Sequence, residues 1–260
     1  MIEKRILQPP VSWLSFPYEC LVYYGGLLLF AVMCLVWSLV AVPLGLLLPG
    51  RIGVRLGRWV IMFGFRTYLR FLELSGIVEC DLGALDELGR ERSLIIAPNH
   101  PSLIDVVLIV SRLRNAVCIV KANLWDQLIF GGSAKLAGYI RNISQARLIV
   151  DATKEIQAGS QLLVFPEGTR TIGKAIQPFK GGFALIAKKA NAPVQMVFIE
   201  INHPFLCKGC SLLKKPEFPL VFRVRLGERF PPPDEVRSYI SLLEQYCRNQ
   251  VAGNDTDAPR

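Results

Sequence analysis

Three regimes of hydrophobic patterning succeed one another along the chain. From Cys20 to Leu48 no charged residue occurs, and the run CLVYYGGLLLFAVMCLVWSLVAV reaches Pro43 with no continuous polar face. It exceeds the roughly 20 residues a helix needs to cross a bilayer, and no small-residue cleavage pattern ends it, so a retained membrane segment is expected. Gly25, Gly26 and Pro43 leave open a spanning helix or a kinked, re-entrant one. A buried helix of a soluble core would be shorter and less uniformly apolar.

The second regime is RIGVRLGRWVIMFGFRTYLRFLEL, residues 51–74. At 100° per residue, Arg51, Arg55, Arg58, Arg66 and Arg70 fall on one arc roughly 120° wide, opposite Val54, Val60, Ile61, Phe65, Tyr68 and Leu72. This spacing predicts a basic amphipathic helix, expected to lie in the headgroup region with its arginines on lipid phosphates.

Beyond Gly76, short apolar runs alternate with helix-length amphipathic ones, the signature of an α/β domain with a central mixed sheet flanked by helices. Strands are predicted at 77–80, 93–97, 116–120, 161–165, 193–201 and 220–226, and helices at 102–113, 126–136, 145–159, 181–191 and 233–251. Residues 204–219 read as a loop, and AGNDTDAPR as a disordered tail. The expected layout is a membrane segment at 1–50, an interfacial helix at 51–75, one catalytic domain at 76–251 and a tail at 252–260.

Charge narrows the partners. Lys4 and Arg5 balance Glu3 and Glu19, so the whole formal charge of +9 belongs to residues 51–260. The positive-inside bias then puts the domain on the cytoplasmic side. A basic face suits membrane lipids, a phosphorylated substrate or an acidic carrier. No zinc-finger spacing or aromatic RNA-binding signature is present, so no nucleic acid is expected. Seven scattered cysteines fit free thiols in a reducing compartment. His203, Cys207 and Cys210 lack a fourth ligand at sensible spacing, so no metal is expected.

The chemistry concentrates in two stretches. In NHPSLID, Asn99 and His100 end a strand, Pro101 suits a first helical position, and Asp105 follows on the first turns. The carboxylate can reach back to one ring nitrogen, fixing the tautomer and leaving the other free to take a proton from a hydroxyl. Ser102 and Ser93 are poorly placed as nucleophiles and no G-x-S-x-G elbow exists, so direct attack by a substrate hydroxyl is favoured over a covalent acyl-enzyme. The second stretch, 161–190, repeats the layout: a strand runs into Pro166, Glu167, Gly168, Thr169 and Arg170 at the same sheet edge. Gly168 admits backbone N–H groups close to an anion, Arg170 offers a fork matched to phosphate, and Lys180, Gly181 and Gly182 open a helix.

In order and spacing, N-H-P-S-L-I-D, F-P-E-G-T-R, F-K-G-G-F and N-A-P-V closely resemble the motifs of the glycerolipid acyltransferases, the family of 1-acyl-sn-glycerol-3-phosphate acyltransferase, over roughly residues 76–230. The N-terminal segment also resembles that of compact bacterial members. The resemblance implies a membrane-bound O-acyltransferase of lipid biosynthesis in a bacterial inner membrane. His100 would act as base, oriented by Asp105. Glu167, Gly168, Thr169 and Arg170 would bind the head of a lysophospholipid acceptor, with Lys180 nearby, and Pro193 and Val194 would pack. The donor would be an acyl carrier protein or coenzyme A thioester, with no metal or organic cofactor. One departure stands out: in GYIRNIS, Arg141 sits three positions before the family's arginine, whose place Ser144 takes, so phosphate binding falls to Arg170 with Arg141 or Arg147. Other acceptors, an amino-acid lipid or a pigment-like hydroxy compound, stay open. So do a non-catalytic lipid-binding module and a thioesterase or lipase in which His100 activates water.

Overall fold

A helical hairpin leads into the sheet. The computed structural model describes residues 12–171 and 176–254. Helix α1 (Ser12–Leu47) continues unbroken through Gly25, Gly26 and Pro43, and α2 (Gly50–Leu74) returns alongside it. From Phe16 to Leu47, α1 is long and apolar enough to cross a membrane, and Leu21, Leu28, Val36 and Leu46 are exposed on its outer side.

Its inner side is tied to the rest of the chain along most of its length. The Tyr18 hydroxyl donates to Ser75 O at 2.8 Å, and Phe30 stacks on Phe65. Ser38 Oγ accepts from the N–H groups of Gly132 and Ser133 at 2.9 and 3.2 Å, and Gly45 meets Leu136. Ser38 thereby caps α5 (Gly131–Leu136) from another helix. A Cβ on Gly132 would stand 2.2 Å from Ser38 O, which explains a glycine at that position.

Among the described residues, seven strands form one sheet in the order β1-β7-β6-β2-β5-β3-β4. These are β1 (Val78–Asp81), β2 (Leu94–Pro98), β3 (Ala116–Lys121), β4 (Ile140–Asn142), β5 (Gln161–Leu163), β6 (Val194–Ile201) and β7 (Leu220–Phe230). β6, β2, β5, β3 and β4 run parallel, while β7 is antiparallel to β6 and parallel to β1, so the sheet is mixed as expected. Both faces are covered, which is why central strands read as unbroken apolar runs. Along β2, Leu94 and Ile96 enter the core under α1, α2 and α3 (Asp105–Val110), whereas Ile95 and Ala97 enter the core under α6 (Gln145–Gln157), α7 (Gly182–Ala190) and α8 (Val236–Asn254). β6 divides in the same way, with Val197 and Ile199 on one side and Met196 and Phe198 on the other.

Several expectations are corrected. Helix α3 begins at Asp105, because residues 101–104 form turns that carry Pro101 outside it. The predicted helix at 126–136 is replaced by α4 (Ala122–Trp125) and α5, broken where Gly131 passes the Trp125 carbonyl too closely for any Cβ. Strand β4 was not anticipated, being three residues long with one buried position. Helix α8 continues to Asn254, past the start of the expected tail, and residues 255–260 lie outside the described residues.

Arg58 does not join the other α2 arginines at the surface. It is 5% exposed and donates to Ala137 O, Asn115 Oδ1, Ser160 Oγ and Glu155 Oε2 at 2.6–2.9 Å. Gly57 permits this, since a Cβ there would lie 2.8 Å from Ala137 N. The face left outward carries Arg51, Arg55, Arg66 and Arg70 interleaved with Trp59, Phe63 and Phe71, a mixture typical of a membrane interface. The cysteines are not all free thiols: Cys207 and Cys210 form a disulfide, while His203 lies 3.6 Å from Glu217.

Candidate active site

The pairing of β2 with β5 brings the two motif stretches together. Their parallel register, Ile96 opposite Leu163, makes both strands end at the same edge, so 99–105 and 164–171 leave the sheet side by side. Asn99 holds the first stretch down: its Oδ1 accepts from Ile199 N at 2.7 Å and its Nδ2 donates to Ile199 O at 3.0 Å. The side chain continues the sheet one residue further than the backbone does.

His100 Nδ1 and Asp105 Oδ2 are 2.8 Å apart. Asp105 is fully buried, and Oδ2 also accepts from Ser102 N at 2.9 Å, while Oδ1 is buried without a hydrogen-bond partner among the described residues. Burial pushes its carboxyl above the ordinary range, against the opposing pull of the His100 hydrogen bond and charge, the Ser102 N–H and the Arg170 charge. Carboxylate contact at Nδ1 fixes which tautomer the ring presents, and Nε2 has no partner among the described residues. The ring lies flat on Phe165, with centroids 3.8 Å apart and planes 18° from parallel.

The 166–171 turn closes against this histidine. Gly168 adopts φ +65°, and the Lys180 side chain crosses directly over it where a Cβ would come within 2.7 Å of Lys180 Cδ. Glu167 is buried, with Oε1 accepting from the Thr171 hydroxyl at 2.6 Å and Oε2 from Gln177 N at 3.0 Å. Its carboxylate is spent on the turn itself. Thr169 is half-buried beside it. Arg170 Nη1 donates to Leu206 O and Cys207 O at 2.7 and 2.8 Å, leaving the N–H donors of Nε and Nη2 without partners among the described residues.

Arg141 is not brought to this place. It lies on β4, three strand positions from β2 or about 14 Å of sheet, and its guanidinium pairs with Asp126. Arg147, on α6, pairs with Asp151 one turn on, and Ser144 caps that helix through Arg147 N. Sequence reasoning missed Thr171, the ring-on-ring contact of Phe165, and Phe205 and Leu206, whose carbonyls accept from the Ser102 hydroxyl at 2.6 Å and Leu103 N at 3.2 Å. A threonine next to the F-P-E-G-T-R run was the one visible signal. The 205–207 contacts link segments a hundred residues apart and had none.

A family model described as Acyltransferase matches residues 81–200. A 1-acyl-sn-glycerol-3-phosphate acyltransferase of Cocos nucifera is 30% identical over 124 residues, 45% of this chain and 40% of that protein. One of Limnanthes douglasii is 26% identical over 186 residues, 64% of this chain and 62% of that protein. A lyso-ornithine lipid O-acyltransferase of Pseudomonas aeruginosa is 33% identical over 117 residues, covering 44% and 45%. The chain thus spans less than two thirds of the length of these relatives. Among solved structures, the 1-acyl-sn-glycerophosphate acyltransferase of Thermotoga maritima superposes with a TM-score of 0.69 over 95% of this chain and 99% of that one, at 19% identity, and so shares the fold.

Proposed function

We propose that this chain, which belongs to the glycerolipid acyltransferase family, transfers a fatty acyl group from a thioester to a lysophospholipid hydroxyl, with 1-acyl-sn-glycerol-3-phosphate as acceptor and phosphatidic acid as product. The observation that carries it is the His100–Asp105 contact beside the Arg170 turn, with Nε2 unpartnered among the described residues. Nε2 takes the hydroxyl proton as the acceptor oxygen bonds to the thioester carbonyl carbon. The tetrahedral adduct then collapses, the C–S bond breaks, and the imidazolium returns the proton to the leaving sulfur. Asp105 supports the transient charge on the ring. No step calls for a metal or an organic cofactor.

Arg170 takes the acceptor phosphate with its two uncommitted nitrogens, and Lys180, exposed above Gly168, adds charge at the same rim. Glu167 acts by holding the turn. The donor is an anionic carrier, coenzyme A or acyl carrier protein, drawn to a chain of net charge +9. We further read the domain as lying on the cytoplasmic side of a bacterial inner membrane. Contacts to the domain from Tyr18 to Gly45, about 40 Å of helix, favour α1 lying along the domain with its outer side in one leaflet.

Acylation of an amino-acid lipid is the second reading. It is favoured by the commitment of Arg141 to Asp126, which leaves a lone arginine on the turn, and by the likeness to the lyso-ornithine lipid enzyme. Incubating the detergent-solubilised protein with radiolabelled acyl thioester and separate acceptors decides between them. Label in phosphatidic acid supports the first, label in an ornithine lipid the second, and free fatty acid alone refutes both.

A further inference from the structure

The segment joining β6 to β7 contains no helix or strand, yet both of its flanks are fixed. On the site side, Phe205 O and Leu206 O receive the Ser102 hydroxyl and Leu103 N, and Arg170 holds Leu206 O and Cys207 O. On the α1 side, the Tyr23 and Tyr24 hydroxyls donate to Leu212 O and Leu213 O at 2.7 and 2.8 Å, and Lys215 pairs with Glu19. These two backbone carbonyls are therefore satisfied by the apolar helix itself, while the leucine side chains are 48% and 73% exposed. Lys208 and Lys214 flank them, exposed and without an ion pair among the described residues.

We propose that residues 207–214 form a second bilayer-contacting element, in which Leu212 and Leu213 enter the acyl boundary beside α1 while Lys208 and Lys214 rest on the phosphates of anionic phospholipids. Two adjacent exposed leucines on a pinned backbone are an apolar patch that water disfavours, and a lysine on either side supplies the positive rim such a patch shows at a lipid surface. Tyr24, bonded to Leu213 O, shares one helical face with Leu21 and Leu28 at i, i+3 and i+7 spacing, and both leucines are exposed. An acidic protein partner would satisfy the lysines but leave the leucines against a helix whose own outer side is built for lipid. Leu103, also exposed, is tied to this loop through Leu206 and lies three residues from His100, so the seated loop places the site mouth against the membrane. The inference stands whichever acceptor is acylated.

The test uses the full chain in nanodiscs of phosphatidylcholine and phosphatidylglycerol, comparing Leu213→Trp with Glu228→Trp on the exposed part of β7 and subtracting wild-type fluorescence. The Leu213→Trp signal is expected to be blue-shifted, quenched by mid-chain brominated phospholipid and shielded from aqueous iodide, whereas Glu228→Trp shows the reverse. Replacing both lysines (Lys208→Gln with Lys214→Gln) should reduce the lipid quenching and abolish its growth with phosphatidylglycerol content. An added tryptophan at 213 that is iodide-quenched like the control overturns the proposal, as does one that shifts only when an acidic carrier protein is added. Circular dichroism confirms that each variant is folded.

Discussion

Thr171 and His100 are joined twice: Thr171 N–H donates to the His100 carbonyl at 2.7 Å, and the Thr171 hydroxyl accepts from His100 N–H at 3.2 Å. The two motif stretches, seventy residues apart in the chain, are thus fastened at the residue whose ring does the proposed chemistry. The same hydroxyl donates to buried Glu167. Thr171→Val should leave Glu167 Oε1 without its donor, costing about 1–3 kcal/mol, and lower kcat more than it raises either KM. Thr171→Ser should restore both, as melting temperature and steady-state kinetics will show.

His100→Ala should reduce kcat by about a thousandfold with the fold intact, the loss expected for a general base. Asp105→Asn separates catalysis from stability. Burial raises the Asp105 carboxyl in the folded state, so its contribution to stability is full below the ordinary carboxylate range and falls as pH rises through the raised folded value. The asparagine variant lacks this penalty. Its melting temperature should therefore gain on wild type between acid and neutral pH while its turnover drops by orders of magnitude. A variant that loses stability increasingly toward neutral pH contradicts the sign.

For Arg170→Lys, charge is kept and the fork is lost. The acceptor KM should rise roughly tenfold with the donor KM unchanged, since about 1.4 kcal/mol of bidentate contact disappears. Equal changes in both constants would place the arginine elsewhere in the cycle.

Arg58→Met removes a buried cation from Glu155, Asn115, Ser160 and Ala137 at once. Because Glu155 is one-third exposed and can rehydrate, the cost should be about 3 kcal/mol, nearer the low end for a broken buried pair. Denaturant unfolding in detergent measures it. No change in midpoint would mean the network is ornamental.

Ser38→Ala uncaps α5 from the side of α1 and should cost about 1–2 kcal/mol. Gly132→Ala should cost more, because the added methyl meets backbone rather than a movable side chain. Limited proteolysis between α1 and α5 should accelerate in that order.

The fold was legible where pattern and burial agree. β2 and β6 read as apolar runs because both faces of the sheet are covered, and α1 read as a membrane segment because its outer side is apolar and exposed along its length. His100 and Asp105 could be paired from spacing, since a strand end and the next turns bring residues five apart together. Arg58 could not be read correctly: the helical wheel places it among the surface arginines, and only the close approach at Gly57 shows a pocket beneath it. β4 was hidden for want of length. The grip of Arg170 on 206–207, like the Ser38 cap, depends on contacts between distant segments that leave no periodicity behind.

The run of fastenings along α1, from Tyr18 to Gly45, has a consequence for traffic. On the proposed seating of α1 in a leaflet, a domain fastened to it in this way cannot lift away and search, so its working rim travels at one depth, and encounters with lipid reduce to lateral diffusion in two dimensions. Molecules dissolved in water must come up to it, while those in the leaflet need only drift past the doorway.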